Sequence, residues 1–237
     1  MESEEIKIKL VEIIKRTPTV FSFRFIPQKK INFIAGQFLQ VLFDEKDKFN
    51  KELNKYLSFS SSPTKEYIEF TKRLSESRFS LKLKSMSVGK EILIRAPLGN
   101  CIFKEDYEKI GFLIGGIGIT PVISMIEYVI DKGLPNDLVL LYSNRNTEEI
   151  SFRKELEYWQ SLNNHIKVYF FIDIPSDEDL VISGKIDRDS IKKYMLDIKE
   201  RIVFSFGPPK MVEAMKNLCL ELGLDMDNVK IETFIGY

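Results

Sequence analysis

The hydrophobic pattern of this chain changes its period once, and that change constrains the fold more than any other feature of the sequence. Up to about residue 96, short segments alternate apolar and polar residues, and turn residues such as Pro27 and Pro97 end them. A period of two is typical of half-buried strands, and short strands in succession predict an antiparallel barrel. The predicted strands cover residues 6–10, 20–26, 37–43, 67–73 and 91–96, with a loop over 44–54 and a short helix over 77–86.

From residue 110 onward, short apolar runs alternate with segments of helical period. This alternation predicts a parallel sheet with right-handed crossovers. The predicted strands are 110–114, 137–142, 166–172, 201–205 and 229–234, and the predicted helices are 121–130, 148–162, 187–195 and 209–222. At 237 residues the chain has room for two domains. We therefore expect an antiparallel Greek-key β-barrel over residues 1–106, followed by an α/β parallel-sheet domain over 107–237.

Composition excludes several classes of function. Lys and Arg together number 35, as do Asp and Glu, so the formal net charge is zero and offers no basic excess for nucleic acid. No apolar run reaches the length of a membrane span, and the acidic first residues do not resemble a secretory signal. We expect a cytoplasmic protein.

The sparse histidines and cysteines limit the chemistry that the chain can perform alone. The sequence has one histidine, His165, and its two cysteines, Cys101 and Cys219, do not have metal-ligand spacing. A serine hydrolase would need that single histidine as its base, and a zinc or di-iron enzyme usually needs more than one. We expect no metal site, and an organic cofactor that supplies the reactive group.

A glycine-rich segment over residues 115–121 lies between a predicted strand and a predicted helix. Main-chain N–H groups and the helix dipole suit a phosphate there, and glycine allows its close approach. Thr120 is expected to cap the helix and Pro121 to be its first residue. The segment lacks the lysine of a P-loop and the third glycine of the dinucleotide fingerprint. A tight turn without a ligand remains the alternative.

Three further segments combine residue types that suit a cofactor. Residues 55–63 bring together a cation, apolar side chains and a hydroxyl cluster, although a serine-rich strand end would look the same. Ser77 is expected to begin a short helix whose first turn suits an anion, or only to cap a surface helix. The chain ends on residues 232–237, an acid followed by aromatics and a glycine, which equally suit the end of a core strand.

Taken in order, these segments resemble the ferredoxin–NADP reductase superfamily over nearly the whole chain. The resemblance rests on residues 55–61 for the flavin motif, 115–121 for the nucleotide loop, 206–211 for a Cys-Gly-Pro-x-x-Met motif and 232–234 for the closing Glu-x-Phe. It implies a barrel that binds FAD, with FMN as the alternative, and an α/β domain that binds NADH or NADPH. Phe206 stands where the family has the cysteine beside the nicotinamide.

The resemblance also implies site residues. Lys55 is expected to pair with phosphate, Leu57 to pack on the isoalloxazine, and Ser58 to contact flavin N5, with Lys and Leu replacing the family's Arg and Tyr. Ser58 and Glu232 are the predicted catalytic residues, with Thr120 and Glu232 on the nicotinamide side. The other predicted cofactor-binding residues are Tyr56, Ser77, Phe79, Ser80, Gly116, Gly118, Pro121, Ser143, Arg145, Gly207, Pro208, Met211, Phe234 and Tyr237. Of these, Ser143 and Arg145 suit a 2′-phosphate, and Tyr237 is expected to cover the flavin.

These residues imply a flavin-dependent oxidoreductase. Hydride would pass from NAD(P)H to bound FAD, and the electrons would leave to a separate acceptor, either a ferredoxin-like protein or a small molecule. One alternative is an electron-transfer subunit of a larger complex. Another is a module that binds flavin or nucleotide without catalysis, which the unusual Lys55, Leu57 and Phe206 would favour.

Overall fold

The computed structural model describes residues 2–174 and 181–234. The strands in this part of the chain are β1 (Glu4–Lys15), β2 (Val20–Pro27), β3 (Phe38–Leu42), β4 (Asn54–Ser58), β5 (Ile68–Arg73), β6 (Glu91–Leu98), β7 (Lys109–Gly115), β8 (Asp137–Asn144), β9 (Ile166–Ile172), β10 (Val181–Ser183), β11 (Ile202–Gly207) and β12 (Val229–Thr233). The α-helices are α1 (Arg78–Lys84), α2 (Ile119–Lys132), α3 (Arg153–Leu162), α4 (Arg188–Tyr194) and α5 (Pro209–Glu221).

The first six strands form one antiparallel sheet in the order β4-β3-β6-β1-β2-β5. A bridge between Phe59 and Phe70 joins its two edges, so the sheet is nearly closed. Alternate side chains fill the interior, where Phe33 stacks on Phe59 at 3.9 Å between ring centroids and Phe25 stacks on Phe70 at 5.1 Å. The predicted antiparallel barrel is confirmed. The closing bridge follows directly after Ser58, so the predicted flavin motif lies at the seam.

The last six strands form a parallel sheet in the order β10-β9-β8-β7-β11-β12. The chain runs outward from β7 through β8, β9 and β10, and then returns to the other side of β7 with β11 and β12. The predicted α/β fold is confirmed. The direction of the connections reverses between β7 and β11. In open parallel sheets, ligands bind outside the carboxyl ends of the strands at such a reversal.

Two local features differ from the sequence prediction. The helix predicted over 148–162 begins only at Arg153, because Phe152 adopts a left-handed conformation with φ of 60° that stops the helix at its N-terminal side. Strand β4, which begins at Asn54, the last residue of the loop predicted over 44–54, was not predicted; the buried Asn54 side chain there donates hydrogen bonds to the carbonyls of Asp44 and Asp47. These bonds form because the chain folds back on itself within ten residues, which the hydrophobic periodicity of the sequence does not predict.

By its internal packing the chain divides into two compact units. The first contains residues 2–103 together with Thr120–Asp131, and the second contains residues 104–119 and 132–234. Most of helix α2 thus belongs with the first unit, and the domain boundary between residues 106 and 107 stays a prediction. No helix among the described residues is both long enough and apolar enough to cross a membrane.

Candidate functional site

Strand β4 carries the four residues predicted to bind flavin. It pairs with β3 through Val41 opposite Lys55 and Phe38 opposite Ser58, so Lys55 and Leu57 lie on one face of the strand. Tyr56 is 57% exposed. Ser58 is buried, and its Oγ has no hydrogen-bond partner among the described residues. A buried hydroxyl without a partner is costly, which fits a ligand atom at this position.

Lys72 on β5 is a site residue that the sequence did not suggest. It is half-buried, and burial followed by the positive charge of Lys55 lowers the pKa of its ammonium group. In the described part of the chain, neither lysine has a carboxylate within ion-pair distance. Two neighbouring cations without a counter-ion suit a ligand phosphate. Lys72 lies within an ordinary alternating strand, so local pattern gives no sign of it.

Ser77 caps helix α1, as predicted, by accepting a hydrogen bond from the N–H of Ser80 at 3.3 Å. The hydroxyls of Ser75, Ser77 and Ser80 contact one another, with 3.0 Å between the Oγ atoms of Ser77 and Ser80. Phe79 is fully buried in the barrel core, where its ring centroid lies 5.1 Å from that of Phe43. Of Phe79, only the main chain is therefore available to a ligand.

The predicted phosphate loop follows β7. Gly115 ends the strand, Gly116–Gly118 form a 3-10 turn, and helix α2 begins at Ile119. The prediction that Thr120 caps the helix was wrong, because the 3-10 turn already reverses the chain and Thr120 is the second helical residue. Pro121 lies in the first turn of the helix, where N–H groups have no acceptor within the helix, so proline's lack of an N–H costs no hydrogen bond.

Two glycines of this loop are required for different reasons. A Cβ atom on Gly118 would lie 2.3 Å from the carbonyl oxygen of Phe206, so the loop packs directly on the β11 main chain. Gly116 has a φ of +52°, and a Cβ there would meet nothing within 4 Å. Its carbonyl accepts a hydrogen bond from the Tyr142 hydroxyl at 3.0 Å. The loop is thus held in shape and open on the side of Gly116.

The second predicted loop follows β11 and meets the first. Gly207 has a φ of +152°, and a Cβ there would lie 3.1 Å from the Gly115 carbonyl oxygen. Pro208 precedes helix α5, and Met211 lies in the first turn of that helix. The Met211 sulfur packs so close to Gly115 that a Cβ there would lie 2.2 Å from it. Both loops therefore lie at the carboxyl ends of β7 and β11, where the sheet reverses direction.

A cavity of about 490 Å³ opens beside these loops. It brings together five of the predicted residues, namely Gly116, Ser143, Arg145, Pro208 and Met211. It also contains polar residues that the sequence analysis did not select, namely Asn144, Glu149, Asp173, Lys185 and Lys210. Asn144 is buried, and neither polar atom of its amide has a partner among the described residues. Asp173 and Lys185 just follow β9 and β10, so the rule that ligands bind at carboxyl strand ends is the signal that would have found them.

Glu232 and Phe234 lie at the end of β12, outside that cavity lining. Glu232 is paired with Phe206 in the β11–β12 register, and its Oε2 is buried without a partner in the described chain. Burial raises the pKa of this carboxyl to about 7. The Phe234 N–H donates to the Gly207 carbonyl at 3.1 Å, and its ring centroid lies 6.5 Å from that of Phe206. Tyr237 lies outside the described residues.

These features fit the cofactors that the sequence implies. A volume of about 490 Å³ is in the range of small-molecule sites, and the glycine loops allow a pyrophosphate to approach the main chain. On the barrel, Lys55, Lys72 and the unpaired Ser58 hydroxyl offer a cationic and hydrogen-bonding surface that fits a flavin nucleotide.

The chain matches known proteins over most of its length. The family model of the oxidoreductase NAD-binding domain matches residues 112–217. The glycine betaine monooxygenase reductase subunit of Chromohalobacter salexigens is 27% identical over 236 residues, which cover 96% of this chain and 63% of that protein. The chain spans about six-tenths of the length of such curated relatives.

Two solved structures share the architecture. The FAD/NAD-binding domain of nitric oxide dioxygenase from Vibrio cholerae has a TM-score of 0.85 and 16% identity, and the alignment covers 97% of this chain and 98% of that one. A ferredoxin NADP+ reductase from Neisseria gonorrhoeae, solved with FAD and NADP, has a TM-score of 0.81 and 20% identity, with 98% and 99% covered. The chain shares the fold of the ferredoxin–NADP reductase superfamily.

The names of the matched proteins, a reductase subunit and structures with FAD and NAD or NADP sites, agree with the predicted NAD(P)H-dependent flavoprotein oxidoreductase, which stays a prediction for this chain. Three departures from the family motifs stand out in this chain. Lys55 offers one point charge where an arginine would bind phosphate with two bonds. Leu57 offers an aliphatic surface where a tyrosine would stack. Phe206 is fully buried among aromatic neighbours, so it fills space in place of a thiol.

Proposed function

We propose that this chain is a member of the ferredoxin–NADP reductase superfamily that oxidises NADPH, transfers the hydride to bound FAD and delivers the electrons to a separate redox protein. The observation that carries the proposal is the glycine-lined cavity where the NAD-binding sheet reverses direction. Bound FAD supplies the hydride acceptor and stores the electrons, while the protein binds, orients and shields the reacting groups.

At the flavin end, the barrel residues bind and orient. Lys55 and Lys72 would pair with the cofactor phosphate, and Leu57 would pack on its ring system. The Ser58 hydroxyl, which has no partner among the described residues, would donate a hydrogen bond to the flavin. The capped first turn of α1, with Ser77 and Ser80, completes the binding of the pyrophosphate. Tyr56, on the same strand as Ser58, is exposed.

At the nicotinamide end, the main chain around Gly116 and Gly118 receives the pyrophosphate, and Thr120 lies at the start of the following helix. Glu232 holds or releases a proton at Oε2, because a pKa of about 7 populates both forms at neutral pH. The protonated carboxyl donates a hydrogen bond to a ligand oxygen.

The residues at the carboxyl end of β8 favour NADPH over NADH. NAD-specific sites in this kind of sheet place a carboxylate there to bind the ribose diol, whereas an arginine accommodates a 2′-phosphate. This chain has Ser143, Asn144 and Arg145 at that position, and all three line the cavity. Lys185 and Lys210 add positive charge to the same lining.

A separate redox protein is the proposed acceptor. The matched relative from Chromohalobacter salexigens is described as the reductase subunit of a monooxygenase. This supports a role for the present chain as a reductase subunit that serves a partner protein, which was also the alternative that the sequence left open. Such a partner would receive the electrons directly from the FAD of this chain.

Steady-state oxidation of NADPH and NADH, with ferricyanide as acceptor, tests the proposal and its coenzyme preference together. We expect NADPH oxidation that depends on FAD content, and a KM for NADPH that rises about tenfold or more in Arg145→Gln, since a lost charged contact is worth about 1.5–3 kcal/mol. The KM for NADH should change little, and the exposed-surface variant Lys192→Gln is the control. An FAD-loaded protein that oxidises neither coenzyme contradicts the function. Equal effects of Arg145→Gln on both coenzymes contradict the preference.

A further inference from the structure

Helix α2 carries a polar stripe along one face. Thr120, Ser124, Glu127 and Asp131 are spaced by four, three and four residues, so they follow one another along the same side of the helix. The helix is otherwise largely apolar. Ser124 is fully buried, so its hydroxyl needs a partner inside the protein.

The two middle residues of the stripe bind the main chain of one barrel segment. The Ser124 hydroxyl donates to the carbonyl of Ser61 at 2.7 Å. The N–H of Ser62 donates to Oε2 of Glu127 at 2.6 Å. Ser61 and Ser62 are both buried. Burial raises the pKa of the Glu127 carboxyl despite the opposing effects of the Ser62 N–H and Lys65.

The last residue of the stripe extends this contact by one turn. Lys65 lies 2.9 Å from Oδ1 of Asp131 and 3.3 Å from Oε1 of Glu127. Thr64 donates its hydroxyl hydrogen to Asp131. Burial lowers the pKa of Lys65, but the two carboxylates outweigh that effect and raise it overall. The stripe and residues 61–65 therefore run side by side in a fixed register.

The barrel holds the same segment from its other side. The Ser60 hydroxyl donates to Oε1 of Glu69, and the Glu69 N–H donates to the Ser61 hydroxyl, both at 2.9 Å. Glu69 is buried and is itself bonded to Arg24 at 2.8 Å. Residues 60–62 are thus held by Glu69 on one side and by Ser124 and Glu127 on the other. They begin two positions after Ser58.

We propose that Ser124 and Glu127 are positioning residues that fix Ser58 of the flavin segment in register with Thr120 at the start of α2. The inference rests on the proposed function, in which Ser58 serves the flavin and Thr120 the nicotinamide. Neither Ser124 nor Glu127 touches a cofactor in this account. They act through the main chain of Ser61 and Ser62. Hydride transfer depends steeply on alignment, so loss of this register should slow the transfer more than it weakens binding.

Ser124→Ala and Glu127→Ala, each loaded with FAD, test the inference by rapid mixing with NADPH without oxygen. We expect the rate of flavin reduction to fall about tenfold in each, because small misplacements have large effects on such steps. The Kd values for FAD and NADPH should stay within about threefold of wild type. Glu127→Gln keeps an oxygen that accepts from Ser62, so it should recover most of the rate. Ser161→Ala and Glu221→Ala, both at exposed positions, are the matched controls.

Hydrogen exchange of the Ser62 amide in FAD-loaded protein gives a readout independent of activity. The amide should exchange about tenfold faster in Glu127→Ala than in wild type, and Glu127→Gln should restore its protection. Reduction rates equal to those of the controls overturn the inference, as does a rate loss that follows only from weaker FAD binding. Wild-type protein that NADPH fails to reduce contradicts the proposed function instead. If the Ser62 amide exchanges equally fast in Glu127→Ala and in wild type, the hydrogen bond between Ser62 and Glu127 does not constrain the segment, and this result also overturns the inference.

Discussion

At the scale of single residues, the most informative feature is a small set of buried polar atoms without partners. Ser58 Oγ, Glu232 Oε2 and the amide of Asn144 all belong to this set among the described residues. Folded proteins pair nearly all of their buried polar groups, so each such atom costs free energy in the absence of a ligand. All three lie in segments that the motifs or the cavity assign to cofactors.

Glu232 gives a prediction about stability and pH. Its pKa is about 7 in the folded protein against 4.5 for an ordinary glutamate, because burial disfavours the ionised form. Ionisation of the buried carboxyl therefore lowers the free energy of unfolding. This loss is absent below pH 4.5, grows as the pH rises, and is complete above about pH 7. Glu232→Gln should raise the free energy of unfolding by about 1–3 kcal/mol at pH 8 and by little at pH 4.5.

Urea unfolding of the two proteins at both pH values, without nicotinamide nucleotide, measures this difference. Glu221→Gln, at an exposed position near the end of α5, serves as the control. A gain of the same size at pH 4.5 and pH 8 would show that the effect does not arise from the Glu232 proton.

At the scale of elements, the sequence predicted what depends on local pattern. The apolar runs of β7, β8, β9 and β11 were recognisable because strands covered on both faces need them. Strands β4 and β10 and the start of α3 were missed. Strand β4 has only five residues and β10 only three, and the start of α3 depends on the left-handed Phe152, which no periodicity predicts.

The residues of the candidate site were likewise predicted only where a local motif contains them. Motifs located the two glycine loops, but Asp173 and Lys185 reach the cavity from elements that are distant in the sequence, and Lys72 lies on the barrel strand β5. Their positions follow from strand order and barrel closure, which local spacing does not contain. The polar stripe of α2 and its partners in residues 61–65 were not predicted from the sequence.

The contact between the glycine loop and β11 gives a prediction at this scale. In Gly118→Ala the new Cβ would lie 2.3 Å from the Phe206 carbonyl oxygen, a main-chain atom that cannot easily move. We expect a loss of about 1–3 kcal/mol of unfolding free energy and weaker binding of NADPH. Gly111→Ala is the matched control, because its Cβ would meet the flexible Met195 side chain at 2.6 Å. Thermal unfolding and coenzyme titration measure both effects, and intact NADPH binding in Gly118→Ala would contradict the role of this packing.

At the scale of the whole molecule, an antiparallel barrel and a parallel sheet occur in one chain, as they do in the matched ferredoxin NADP+ reductase structure. Each sheet carries its own group of candidate cofactor residues. The central claim is that these two groups serve one reaction, the reduction of FAD by NADPH. The fold is shared with a reductase solved with FAD and NADP, and the claim concerns what this particular chain does with that fold.

Anaerobic titration of the FAD-loaded protein with NADPH, followed by flavin absorbance, tests that claim most directly. The account predicts that the absorbance of oxidised FAD is lost in proportion to the NADPH added, and more slowly with NADH. Bound FAD that stays oxidised in excess NADPH and in excess NADH would contradict it.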